Sequence, residues 1–245
     1  MADLDRRYAS AQPQSQTGDI AFDAGLREYM LSVYNHMAGG VALTGVAAYA
    51  LYAYAASSEA AFRMVFGGPM QMVLVLAPLF YGFYLIFRMH AMTVSGARIG
   101  FGVYATLVGL SLAYLFVIYS GQSLARVFFI SAATFGATSL YGYTTRRDLT
   151  SLGSFAMMGL FGILIAMVVN FFLQSTALQF AVSVMGVGIF IGLTAYDTQK
   201  LKSVYLTYAG NGEALARSAI YGALNLYLDF INLFLFMLRL MGDRR

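Results

Sequence analysis

Two carboxylates sit where this chain is otherwise built for lipid. Asp197 closes an apolar run in "LTAYDTQKLK" (193–202), and Asp229 lies in the middle of "NLYLDFINLF" (225–234). An ionisable side chain at the centre of a membrane helix costs about 2.5–3.5 kcal/mol on insertion scales, so two in neighbouring helices call for a function. Close carboxylates in a low dielectric cannot both ionise cheaply and hold a shared proton. Losing that proton adds charge, which favours separation or capture of a cation. Carboxylate oxygens are hard donors that suit Ca²⁺, so Asp197 and Asp229 are both the candidate pH sensor and the candidate Ca²⁺ ligands. A plainer reading makes Asp197 an interfacial, solvated group near Lys200.

Spacing allows the two to meet. Between them "YAGNGE" (208–213) supplies a helix stop and a new start at Gly210-Asn211-Gly212. Counted from that turn at the helical rise, Asp197 lies about 20 Å and Asp229 about 26 Å along its helix. A continuous antiparallel hairpin therefore brings them within about one turn of the same depth.

Their neighbours extend the polar character. Tyr221, Asn225, Asp229 and Asn232 recur at helical steps and form one stripe on the last helix. With Tyr196, these are the pore-lining candidates. Ser131, Thr134, Thr138, Tyr141 and Thr145 stripe an earlier helix, where interhelical hydrogen bonding explains them equally well. Arg88, ending a helix that Pro78 should kink, is the candidate counter-charge at the cytoplasmic side. An ordinary charged anchor is its plainer reading.

The chain around these residues is 245 residues long, 60% hydrophobic and only 11% charged, with mean hydropathy +0.69. Soluble domains carry about 25% charged residues. Absence of cysteine rules out disulfides and thiolate metal sites, and His36 and His90 alone cannot make a histidine-rich one. The net charge of +4 reads as loop anchoring rather than nucleic-acid binding.

A bilayer core needs roughly 20 apolar residues per helix. Such runs fall at about 37–56, 69–88, 99–119, 124–143, 152–173, 177–197 and 219–240. The fold class is thus an all-α polytopic membrane protein with seven transmembrane helices. Residues 1–28 read as a polar cytoplasmic tail and 29–245 as the membrane domain. Apolar spacing over 22–37, with Asp19 as a candidate N-cap, fits either a surface helix or an extension of the first span. With the N-terminus in the cytoplasm, ten of the Lys and Arg residues fall on that side, and Arg63 and Arg126 outside. Arg239, Arg244 and Arg245 then break the rule if the last helix crosses, and crossing is the favoured reading over re-entry.

Four stretches carry a family resemblance: "YNHMAGGVALTG" (34–45), "SAATFGATSLYGYTTRRDLTSLGSFAMMGLFGILIA" (131–166), "AYDTQKLK" (195–202) and "YGALNLYLDFINLFLFMLR" (221–239). Together they resemble the bacterial branch of the Bax inhibitor-1 family. That resemblance implies a seven-helix fold with the last helix central and wrapped by the other six. It also implies a pH-sensitive calcium leak in the bacterial inner membrane, gated by an aspartate pair matching Asp197 and Asp229 and assisted by an arginine for which Arg88 is the candidate. Ca²⁺ would be the transported ion, with no cofactor required. The connection around "YAGNGEALARSAIYG" is longer than in compact bacterial relatives, so the gate geometry is expected to differ.

Other readings are weighed against this one. The protein could act by binding and restraining a membrane protease or a stress-response partner, with the aspartates structural. An intramembrane aspartyl protease would need "GxGD" where this chain has "LYLD", so no enzyme is expected. No inverted repeat of the kind seen in many transporters is found.

Overall fold

The computed structural model describes residues 13–88 and 91–245. Nine helices account for nearly all of them: α1 (Pro13–Ala55), α2 (Glu59–Phe66), α3 (Pro69–Arg88), α4 (Val94–Leu112), α5 (Leu115–Ile118), α6 (Gly121–Thr144), α7 (Thr150–Leu173), α8 (Thr176–Tyr208) and α9 (Gly212–Met241). Seven segments are long and apolar enough to cross a membrane, α4 and α5 forming one of them. Each overlaps a run found in the sequence. Hydroxyl and amide caps mark the starts: Ser58, Thr93, Ser120, Ser175 and Asn211 each accept a backbone N–H of the first turn.

α1 differs from expectation. It is helical from Pro13 and runs through Asp19, which is therefore not its N-cap; residues 1–12 lie outside the described region. The apolar residues Leu26, Tyr29, Met30, Val33 and Met37 are buried in the main core rather than facing a lipid surface. The first span is therefore extended, and its early turns pack on the α8–α9 hairpin. The Tyr29 and Tyr205 rings lie 5.7 Å apart, and Ser218 donates to the Tyr29 hydroxyl at 3.4 Å.

α9 is the most enclosed span: 56% of its apolar window is buried, against 11% for α3 and α7. Its main partners are α8, α1, α6 and α4, while α3 packs chiefly on α4, and α7 on α8. Four of the other spans are thus its direct neighbours. The outward faces of α3 and α7 carry exposed Phe80, Phe87, Phe155, Phe161 and Phe171, as a lipid-facing surface requires. Tyr227 anchors the centre of α9. It is fully buried, its ring edge-on to Phe101 and its hydroxyl 2.7 Å from Thr44 Oγ1.

The last helix runs the length of the bundle. Beyond Met241 the backbone N–H of Asp243 donates to Ser123 Oγ at 2.8 Å, and that of Arg245 to the Ile118 carbonyl at 2.9 Å. The C-terminus thus lies beside the α5–α6 junction, at the end of the bundle opposite the α8–α9 turn.

Candidate functional site

The motif "AYDTQKLK" fixes the rotation of α8 by giving each residue a different neighbour. Ala195 presents its carbonyl to Gly142 of α6, where any Cβ would collide with it. Tyr196 lies over Gly153 of α7. The Thr198 hydroxyl shares a hydrogen bond with Ser139 of α6 at 2.9 Å, and Ser139 another with Tyr34 of α1 at 2.6 Å. Gln199 accepts from the Leu149 N–H at 2.8 Å and donates to the Arg147 carbonyl at 2.7 Å, pinning the α6–α7 loop. Lys202 donates to the Tyr143 carbonyl and lies over that ring. With these contacts set, Asp197 faces α9.

α9 meets it with a stripe of polar residues at steps of four: Glu213, Arg217, Tyr221, Asn225 and Asp229. A cavity of about 430 Å³ lies between the two helices, next to their turn, and is lined by Asp197, Lys200, Arg217, Ser218, Tyr221 and Asn225 among others. Asp229 sits one turn deeper than Asn225 and is only 5% exposed. Its carboxyl meets that of Asp197 within hydrogen-bonding reach. Asp229 Oδ2 is buried and receives no N–H or neutral hydroxyl donor among the described residues. Beyond Asp229 the same face continues as Leu233, Phe236 and Met237, all buried. The polar cavity therefore ends in apolar packing at the pair.

A family model described as inhibitor of apoptosis-promoting Bax1 matches residues 26–245. The chain belongs to the Bax inhibitor-1 family. Among similar proteins, the uncharacterized protein RP147 of Rickettsia prowazekii is 50% identical over 91% of this chain and 93% of its own. A Caulobacter vibrioides protein is 42% identical over the full length of both. The inner membrane protein YbhL of Escherichia coli is 43% identical over 91% of this chain and 94% of its own.

Within this Bax inhibitor-1 fold the sequence-derived candidates divide. Asp197, Tyr221 and Asn225 share the cavity, with Asp229 beneath them. Asn232 does not join them; its amide donates to the Leu228 carbonyl of its own helix at 2.8 Å. Tyr196 is turned to α7 and to Lys200, whose Nζ lies 5.9 Å from its ring. Arg88 is exposed at the end of α3 and does not line the cavity. The cations that do are Lys200 and Arg217, the latter 3.5 Å from Glu213. Thr134 and Thr138 of the second polar stripe bond back to their own helix, and Ser131 does so while also reaching Met237 Sδ at 3.2 Å. Among the described residues no cluster of three or more His, Cys, Asp or Glu could hold a metal. A bound Ca²⁺ would therefore draw its remaining oxygens from Asn225, hydroxyls, carbonyls or water.

Sequence reasoning missed Arg217 and Ser218 as parts of the site, and missed the Tyr34–Ser139–Thr198 hydroxyl chain. The first was within reach: the four-residue stripe that includes Tyr221 and Asn225 continues back to Arg217. The second was not, since three residues on three helices show no common spacing.

Proposed function

We propose that the protein is a pH-sensitive cation leak of the bacterial inner membrane, with Ca²⁺ as the transported ion and the Asp197–Asp229 pair as its gate. The observation that carries this reading is the meeting of two carboxyls at the blind end of a polar cavity. With one proton between them, the carboxyls hold α8 to α9 and the apolar residues beyond remain sealed. Loss of the proton leaves two negative charges in a poor dielectric, and their repulsion drives the helices apart. The separated carboxylates then form an attractive site for a divalent cation. Lys200 and Arg217 line the same cavity and are its positive charges.

Two facts support the inner-membrane assignment: the seven apolar segments, and the similarity to YbhL, itself named an inner membrane protein. The test is Ca²⁺ entry into liposomes carrying the purified protein, followed across pH for the wild type, Asp197→Asn and Asp229→Asn. Flux that rises with pH in the wild type and is flat in both variants supports the gate. Flux indifferent to both substitutions would leave the aspartates structural and favour a role in binding a membrane protease or other partner.

A further inference from the structure

The end of the bundle opposite the acidic pair holds a second cavity, of about 480 Å³, where the α7–α8 turn meets the last turn of α9. Its polar side chains are Arg239, Asn170, Gln174 and Gln179, and part of its wall is apolar Met167 and Phe171. No carboxylate lines it. Two other arginines at this end have acidic partners: Arg63 pairs with Glu59 at 2.6 Å, and Arg126 with Asp243 at 2.7 Å. No acid pairs with Arg239 among the described residues, and its guanidinium rests 5.4 Å from the centre of the Phe236 ring. Asn170 Oδ1 accepts from the Ser175 N–H at 3.0 Å, which directs the amide NH₂ to other partners. Ser175 caps the 33-residue helix α8, so the positive end of that helix dipole lies at the same corner.

Arg239 gives the lining a formal positive charge that no carboxylate offsets; the start of α8 adds to it, while the last carbonyls of α7 and α9 oppose it. A bare phosphate and a lipid phosphate both answer that positive charge, but the surroundings favour the lipid. The cavity wall is partly apolar, and beside it Phe171 and Phe172 are 76% and 78% exposed. The site also lies at the ends of three spans, the depth at which headgroups sit; basic pockets between membrane helices hold such headgroups. We propose that this cavity binds an anionic glycerophospholipid. Arg239 takes the phosphate as a forked donor, the Asn and Gln amides take the remaining headgroup oxygens, and Met167 and Phe171 take the start of an acyl chain. The site is separate from the acidic pair and does not depend on the leak mechanism.

Native mass spectrometry of the full-length protein in detergent tests it, comparing phosphatidylglycerol with phosphatidylcholine of the same acyl chains. Phosphatidylglycerol should be retained about tenfold better, the scale of one charge-assisted hydrogen bond. Arg239→Gln should abolish the preference, and Arg126→Gln, outside the cavity, should keep it. Should Arg239→Gln fail to fold, Gln179→Leu gives the same reading, with the preference reduced roughly threefold. Equal retention of both lipids by the wild type would overturn the proposal. So would a preference that survives each cavity variant that folds, or displacement of phosphatidylglycerol by millimolar inorganic phosphate, which would mark a free-anion site.

Discussion

Asp197 of α8 and Asp229 of α9 meet carboxyl to carboxyl, the first bordering a polar cavity and the second buried one turn below it. The cavity adjoins the α8–α9 turn, and apolar side chains close the way beyond the pair. On the proposed gate, protons reach the carboxyls from that end of the bundle. The expected result is one-sided pH control. In vesicles with uniformly oriented protein, a pH step on the side of the α8–α9 turn should change Ca²⁺ flux, and the same step on the opposite side should not. Equal response from both sides would contradict this route.

Lys200 lies three residues beyond Asp197 on the same helix and lines the same cavity. Replacing it with Gln removes that positive charge, so the pair keeps its proton to higher pH. The onset of flux in Lys200→Gln should move upward by roughly half a pH unit, as expected for one solvated charge. Arg88→Gln, at a position that does not line the cavity, should leave the onset in place. A pH profile that moves with Arg88 and not with Lys200 would reverse the assignment of the counter-charge.

How much of this was legible in the sequence follows from the physics of each signal. Seven spans could be read because lipid imposes long apolar runs, and the α8–α9 hairpin because Gly210-Asn211-Gly212 interrupts one. The acidic pair could be read because carboxylates are costly there. Arg88 was chosen by its place near a membrane end, but α3 packs on α4 at the edge of the bundle, and lateral position leaves no trace in hydropathy. Asn232 belongs to the right stripe by spacing; its side chain can nevertheless satisfy itself on the Leu228 carbonyl, which spacing cannot foresee. The early turns of α1 show an amphipathic pattern that a lipid surface and a protein groove both explain, and here the groove against α8 and α9 takes it.

The Tyr227–Thr44 contact predicts an ordering of two variants. The Thr44 hydroxyl donates to backbone carbonyls at 2.9–3.0 Å, so Tyr227 is the donor in their shared bond. Tyr227→Phe removes a donor and leaves Thr44 bonded, at a cost of about 0.5–1.5 kcal/mol. Thr44→Val strands a fully buried phenol hydroxyl, at a cost of about 1–3 kcal/mol. Thermal unfolding in detergent should place the variants in that order, and the reverse order would count against the bonding pattern.

Asp148, before α7, accepts from both the N–H and the hydroxyl of Thr150, at 2.9 and 2.6 Å. Those bonds hold its carboxyl below the ordinary carboxylate value. Its contribution is therefore complete above the unfolded-state pKa and lost as pH falls through the lowered folded-state one. Because the group is exposed, the effect is local. Amide exchange at Thr150 should quicken in Asp148→Ala, and the wild type should approach the variant only in strong acid. Unchanged protection in Asp148→Ala would show that Thr150 does not rely on that carboxyl.

The central claim is a proton held between Asp197 and Asp229 whose loss opens the leak. Infrared difference spectroscopy of the reconstituted protein reads it directly, through the carbonyl stretch of a protonated carboxyl. The account predicts one such band that disappears over the pH range in which Ca²⁺ flux rises, and that is absent from Asp229→Asn. A band that persists after flux is fully open, or that is unaffected by the substitution, would contradict it.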